Sequence, residues 1–212
     1  MNEATKITFS ADEISLFSNA EIILTKQVII QKIIKLFGNI LPELKQLLEC
    51  NRPHLPQEVF MNPAKISKGE QYQMLPYVML DYPRFFGKSD SIAFRTFFWW
   101  GNFFSVSMLV SGQFKNEIVS NLLFQFNTLK ESDYWICIAK TQWEHHFEED
   151  NYLKLTDCTQ EQFAAILDRE HFVKIAKKMP LQQWQDASIF ITATFKEMIQ
   201  LMQPLSGAQS ME

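Results

Sequence analysis

The sequence predicts an α+β domain: an antiparallel sheet of about six strands, with helices gathered mainly on one face. Three observations carry this. Apolar residues recur at three and four through 23–48, 113–129 and 187–202, the period of a helix face. The stretch Ile92–Gly112 (IAFRTFFWWGNFFSVSMLVSG) instead pairs two aromatic and β-branched runs across a Gly-Asn step. The connections between strand candidates are short, which favours antiparallel neighbours over crossovers.

Composition sets the outer limits. Hydrophobic residues make up 47% of the 212 and charged residues 21%, ordinary values for a chain that buries a core. One domain over 1–203 is expected, with a flexible C-terminal tail at 204–212. A net charge of −4 lacks the lysine and arginine excess that phosphate binding wants, so nucleic acid is not an expected partner. Cys50, Cys137 and Cys158 are odd in number and in no ligand spacing. Reduced thiols in a cytoplasmic setting are expected, rather than disulfides or zinc. The opening MNEATKITFSADE shows no apolar leader, and polar residues interrupt each apolar run well short of a membrane span. No membrane partner and no cofactor are expected.

Ser10–Glu13 spells a capping box, with Phe9 and Ile14 placed as its hydrophobic staple, and opens a short helix over about 11–18. Ile23, Ile30, Ile33, Ile34, Phe37, Leu41, Leu44 and Leu48 then mark a helix that covers the sheet. Gly38-Asn39 and Pro42 interrupt it: either the helix breaks there or Pro42 opens a second one to Glu49. Residues 51–71 hold three prolines and no period, and read as an irregular segment packed over the sheet, with a helical turn at Glu58–Met61. Tyr72–Tyr82 reads as a strand ended by Pro83.

Beyond the hairpin, Phe114, Ile118, Leu122, Leu123, Phe126 and Leu129 form one helix stripe. Tyr134–Ala139, Trp143–Phe147 and Tyr152–Leu155 are short strand candidates. Thr159–Gln162 is a second capping box, starting a helix to about Glu170. Phe172–Pro180 is ambiguous and leans extended; a C-terminal helix follows from Ala187 to Met202. Three strands and a helix, twice over, suggest a duplicated βββα plan, although no residue-level repeat accompanies it.

In the hairpin, Gly101-Asn102 suits a two-residue II′ turn, which sets the register. Trp100 then faces Phe103, Trp99 faces Phe104, Phe97 faces Val106 and Arg95 faces Met108. One face carries Ala93, Arg95, Phe97 and Trp99 beside Phe104, Val106, Met108 and Val110, and is expected in the core. The other carries Phe94, Thr96, Phe98 and Trp100 beside Phe103, Ser105, Ser107 and Leu109. Large rings opposite hydroxyls have the composition of a small-ligand wall. Aromatic stripes are also how cores are filled, so a second packed face is the plainer alternative.

Arg95 is costly on an apolar face unless paired, and Asp81 on the preceding strand is its natural partner, with Glu70 the second choice. The other reading is an arginine that recognises an anion at the end of an aromatic pocket. Tyr77 and Arg84 lie near that pocket and could orient a polar ligand or cap the sheet edge. Glu144-His145-His146-Phe147-Glu148 mixes imidazole with carboxylate. In a strand, however, the two histidines point to opposite faces, so no metal is expected. No nucleophile elbow, P-loop or dinucleotide fingerprint occurs.

Lys65-Ile-Ser-Lys-Gly-Glu-x-Tyr72, Leu75-Pro-Tyr-x-x-Leu-Asp-Tyr-Pro-Arg84 and Phe98-Trp-Trp-Gly-Asn-x-Phe104 resemble a block of about forty residues in a family of bacterial proteins of similar length with no assigned activity. The resemblance implies a bacterial cytoplasmic protein and carries over no catalytic residue. The favoured function is a non-enzymatic binding protein, holding a small aromatic or anionic ligand between the sheet and 51–71. Phe94, Phe98 and Trp100 would be its walls; Tyr77, Asp81, Arg84 and Arg95 would be its polar residues. The alternatives are a protein-interaction module, homo-oligomers included, and an enzyme using Asp81, Arg84, His146 or Glu148 as acid–base groups.

Overall fold

The computed structural model describes residues 7–169 and 171–203; the tail expected at 204–212 and the helix end expected at Glu170 lie outside them. Strands β1 (Lys65–Tyr72), β2 (Leu75–Phe86), β3 (Ser91–Trp99), β4 (Phe103–Ser111), β5 (Trp135–Cys137), β6 (Tyr152–Lys154) and β7 (Phe172–Pro180) form one sheet. Its order is β1-β2-β3-β4-β7-β5-β6, and every pairing is antiparallel. The helices are α1 (Ala11–Phe17), α2 (Ala20–Cys50), α3 (Gln113–Phe124), α4 (Phe126–Glu131), α5 (Gln160–Arg169) and α6 (Ala187–Leu201). The α+β class is as expected, with seven strands because residues 65–72 and 172–180 each add one and 143–147 adds none. Four strands precede α3, two precede α5 and one precedes α6, so the chain is not two βββα units.

The helices gather on one face. Their buried apolar residues all join a single cluster with Val78, Leu80, Phe94, Phe98, Val106 and Met108. The cluster on the opposite face draws only on strands and the loop at Phe147. The covering helix α2 runs unbroken through Pro42, contrary to the expected interruption. Pro42, Gly38 and Asn39 are all exposed, so the carbonyl that loses its helical partner faces water. Phe37, Ile40, Leu44 and Leu48, buried on both sides of the proline, hold the axis together. The stripe at 113–129 is instead broken at Gln125 into α3 and α4.

Residues 51–71 are not one irregular segment. They form 3₁₀ turns at Arg52–His54 and Gln57–Phe60, then the edge strand β1. An edge strand with polar residues on both sides has no burial alternation to betray it. Gln73 (φ 47°) and Met74 (φ 63°) join β1 to β2 with the two positive φ angles of a type I′ turn, without its usual glycine or asparagine. Beside that turn Tyr77 lies over Gly69, where an added Cβ would come within 2.5 Å of the tyrosine ring. β2 continues through Pro83 by way of an irregularity between Asp81 and Arg84. Trp143–Phe147 is not a strand, and Phe172–Pro180 is a central one.

The largest correction concerns the hairpin register. The loop has three residues, Trp100, Gly101 and Asn102, so Trp99 pairs with Phe103, Phe97 with Ser105 and Arg95 with Ser107. Gly101 (φ 74°) is the third residue of a turn closed by Asn102 N–H donating to the Trp99 carbonyl at 3.0 Å. Positive φ is needed there, one position later than a two-residue II′ loop would place it. The slip exchanges the β4 faces. Phe94, Thr96 and Phe98 join Phe104, Val106 and Met108 beneath the helices; Arg95, Phe97 and Trp99 join Phe103, Ser105 and Ser107 on the far side. The observed register puts the aliphatic half of β4 against α6 and α3, a more uniformly apolar face than the expected one.

Candidate functional site

The helix-free face is closed by polar bonds. Arg95 and Asp81 are register partners on β3 and β2, and the guanidinium grips both carboxylate oxygens at 2.7 and 3.0 Å. Its third nitrogen reaches His145 Nε2 at 3.1 Å. Arginine can only donate, so that ring nitrogen accepts and His145 is neutral. Burial first, then the cations Lys174 and Arg95, hold the His145 pKa well below its ordinary value. The ring packs on Phe97 and Tyr72, with centroids 4.9 and 5.4 Å away.

The loop carrying His145 is pinned twice more. The Tyr72 hydroxyl accepts the backbone N–H groups of His145 (2.6 Å) and His146 (2.9 Å). Those groups are thereby withheld from any strand ladder, which is why 143–147 is not extended pairing. Lys174 on β7, only 2% exposed, donates to the carbonyls of Gln142 (3.1 Å) and Glu144. Burial lowers its pKa to about 8. Tyr72 in turn is raised by burial. Arg95, Asp81, His145, Tyr72 and Lys174 thus spend their polar atoms on one another and on the loop backbone. An incoming anion would have to displace Asp81 to reach Arg95.

The helix-covered face is different at one end. Beyond the last strand pairs, the hairpin tip and the 3₁₀ segment Leu181–Asp186 stand clear of α2 and leave a groove of about 690 Å³. Phe98, Phe104 and Leu181 form its floor, Trp100 and Trp184 its sides, and Ile29, Ile33 and Leu36 of α2 its roof. Trp100 N–H donates to the Pro76 carbonyl at 3.0 Å, which fixes the tip over the start of β2. Trp184 is 63% exposed, an unusual solvent load for that side chain. Lys32 and Lys35 lie along the rim, and among the described residues neither is in an ion pair. A second, smaller hollow of about 320 Å³ lies between Lys45 and Glu49 of α2 and Pro63.

The seven candidate residues therefore do not form one site. Phe98 and Trp100 line the groove. Phe94 is buried beneath the helices against Phe195, its ring centroid 5.2 Å away. Tyr77, Asp81 and Arg95 are on the opposite face, and Arg84 Nε donates to the Pro63 carbonyl at 2.9 Å. For acid–base work, Asp81, Arg84 and His146 each have different partners; His146 Nδ1 accepts from Glu148 N–H at 3.4 Å. Among the described residues, no three His, Cys, Asp or Glu side chains come together as a metal-binding group. The α2 half of the groove was overlooked, although the stripe itself hinted at it: Ile29, Ile33 and Leu36 widen an apolar face that Ile30, Phe37 and Leu44 already complete. Trp184 and Lys174 gave no sequence signal. Compared with protein-family models, curated proteins and solved structures, the chain matches none.

Proposed function

We propose that this chain is a non-enzymatic binding protein of the cytoplasm whose ligand site is the groove between α2 and the hairpin tip. The groove supports this reading because it joins aromatic and aliphatic walls to two lysines that, among the described residues, are in no ion pair. Such a lining favours a ligand with an apolar or aromatic body and negative charge at its edge. The free thiols of Cys50 and Cys158 fit a reducing compartment, and among the described residues no helix is long and apolar enough to cross a membrane.

The test is titration with 1-anilinonaphthalene-8-sulfonate, an aromatic anion whose emission rises on leaving water. Saturable binding is expected, weakened by about tenfold in Lys32→Glu/Lys35→Glu, which is 1.4 kcal/mol. Absent binding, or binding untouched by the double reversal, would remove the groove as the ligand site.

A further inference from the structure

We infer that the groove receives residues 7–18 of a second copy of this chain, two copies exchanging their N-terminal arms about a two-fold axis. This rests on the groove being the ligand site, and names the ligand.

Three observations support it. The arm is formed but unsupported: α1 has a complete capping box at Ser10 and buries no residue, with Phe9, Leu16 and Phe17 each 60% exposed or more. Seven residues are too few for a helix to hold itself together in water, so a docking surface is wanting. Next, the core stripe of α2 outruns the body. Ile30, Phe37 and Leu44 recur at every seventh residue and are at most 2% exposed, while Ile23, one step earlier on the same stripe, is 56% exposed. Finally, the charges are complementary. The arm carries Asp12 and Glu13, and the groove rim carries Lys32 and Lys35. An acidic arm is repelled by an anionic lipid surface, which sets a membrane below a protein partner.

The arm of the same chain does not occupy its own groove: none of residues 7–18 lines it, and α1 buries no residue. Reciprocal exchange between two copies satisfies both grooves at once, as a closed two-fold interface requires.

Sedimentation of the full chain over a concentration series tests this. A species of twice the 24.9 kDa chain mass is expected. Leu16→Asp/Phe17→Asp should leave the thermal midpoint unchanged at concentrations low enough for both proteins to be monomeric, because α1 buries nothing within one chain, yet give monomers that take up the anilinonaphthalene probe more tightly than the wild type. Asp12→Lys and Lys32→Glu/Lys35→Glu should each weaken the dimer by about tenfold, and the triple variant should regain it. A wild-type monomer at every concentration, or a dimer indifferent to Leu16→Asp/Phe17→Asp, would overturn the inference. So would a monomer whose arm carries it onto phosphatidylglycerol vesicles. If that monomer still binds the probe in a Lys32- and Lys35-dependent way, the groove remains a ligand site with another occupant; if it does not, both readings fall.

Discussion

The two faces of the β3–β4 hairpin carry similar rings and end differently. Phe97 and Trp99 look onto a face sealed by one loop, whereas Phe98 and Trp100 look towards a groove. The difference lies in what covers each. Helices cover a sheet by packing, which is non-directional and leaves a gap wherever a straight α2 parts from a twisted sheet. The loop at 138–151 covers by hydrogen bonds whose donors and acceptors have fixed places: Tyr72 Oη, Lys174 Nζ and the Arg95 guanidinium. A surface closed by directional bonds has no slack for a guest. The proposed binding site therefore lies on the side that looks more ordinary.

Removing one member of the lock should break the contrast most severely. Arg95→Met leaves the Asp81 carboxylate buried without its partner, and is expected to cost about 3–5 kcal/mol in urea unfolding. Arg95→Met/Asp81→Leu should recover most of that, since two apolar residues leave no uncompensated charge. Probe binding in the groove, on the opposite face, should be unchanged in both variants where they are folded. Equal losses of stability in the single and double variants would show that Arg95 acts by packing alone.

The next effect separates the faces by pH. Lys174 titrates near 8 when folded and near 10.5 when unfolded. Between those values the unfolded chain holds a proton that the folded chain has released, so stability rises with pH there. The full difference is worth about 3 kcal/mol. The rise should show from pH 8 to about 10, above which the buried Tyr134 and Tyr152 hydroxyls, both raised, reverse it. On the acid side, neutral His145 makes stability fall as pH drops through about 6.5. Lys174→Met should flatten the alkaline rise and leave the acid fall in place, read from urea midpoints across the series.

How much of this was legible in the sequence depended on whether a signal was local. Both capping boxes form as written: Glu13 N–H donates to Ser10 Oγ and Gln162 N–H to Thr159 Oγ1. The Asp81–Arg95 pair follows from alternation and the cost of a buried charge. The hairpin loop length did not follow, because glycine serves either a two- or a three-residue turn and only packing against α6 and α3 decides between them. That single residue moved the whole serine face. β1 was missed because its partner, rather than its pattern, makes it a strand. The Lys174–loop bonds join residues thirty apart through backbone carbonyls, which carry no mark in sequence.

On the open face the expected effects are smaller. Trp100 is half-buried at the hairpin tip, with groove on one side of its ring. Trp100→Ala should weaken probe binding by about tenfold, or 1.4 kcal/mol, while leaving the pH profile of the lock as it was. A variant that shifted the profile as well would mean that the two faces communicate through β3, and the division between them would need redrawing.

Ser10→Ala is the finest cut, because it touches neither face of one chain. The Ser10 side chain accepts Glu13 N–H, and the Glu13 carboxylate accepts Ser10 N–H in return; that bond holds the Glu13 pKa below its ordinary range. Losing the cap costs a helix about 1 kcal/mol. In an isolated chain that cost has nowhere to register: α1 buries no residue, so it frays alone and the global unfolding midpoint does not move. In an exchanged dimer the bound arm must be helical, and the same cost reappears as dissociation. Each of the two exchanged arms should then bind about fivefold more weakly, the equivalent of 1 kcal/mol, which weakens the dimer constant by about thirtyfold. A midpoint unchanged at low concentration, beside a dimer weakened by that factor, would place α1 with the partner's groove. A midpoint lowered in the monomer would instead tie it to its own body.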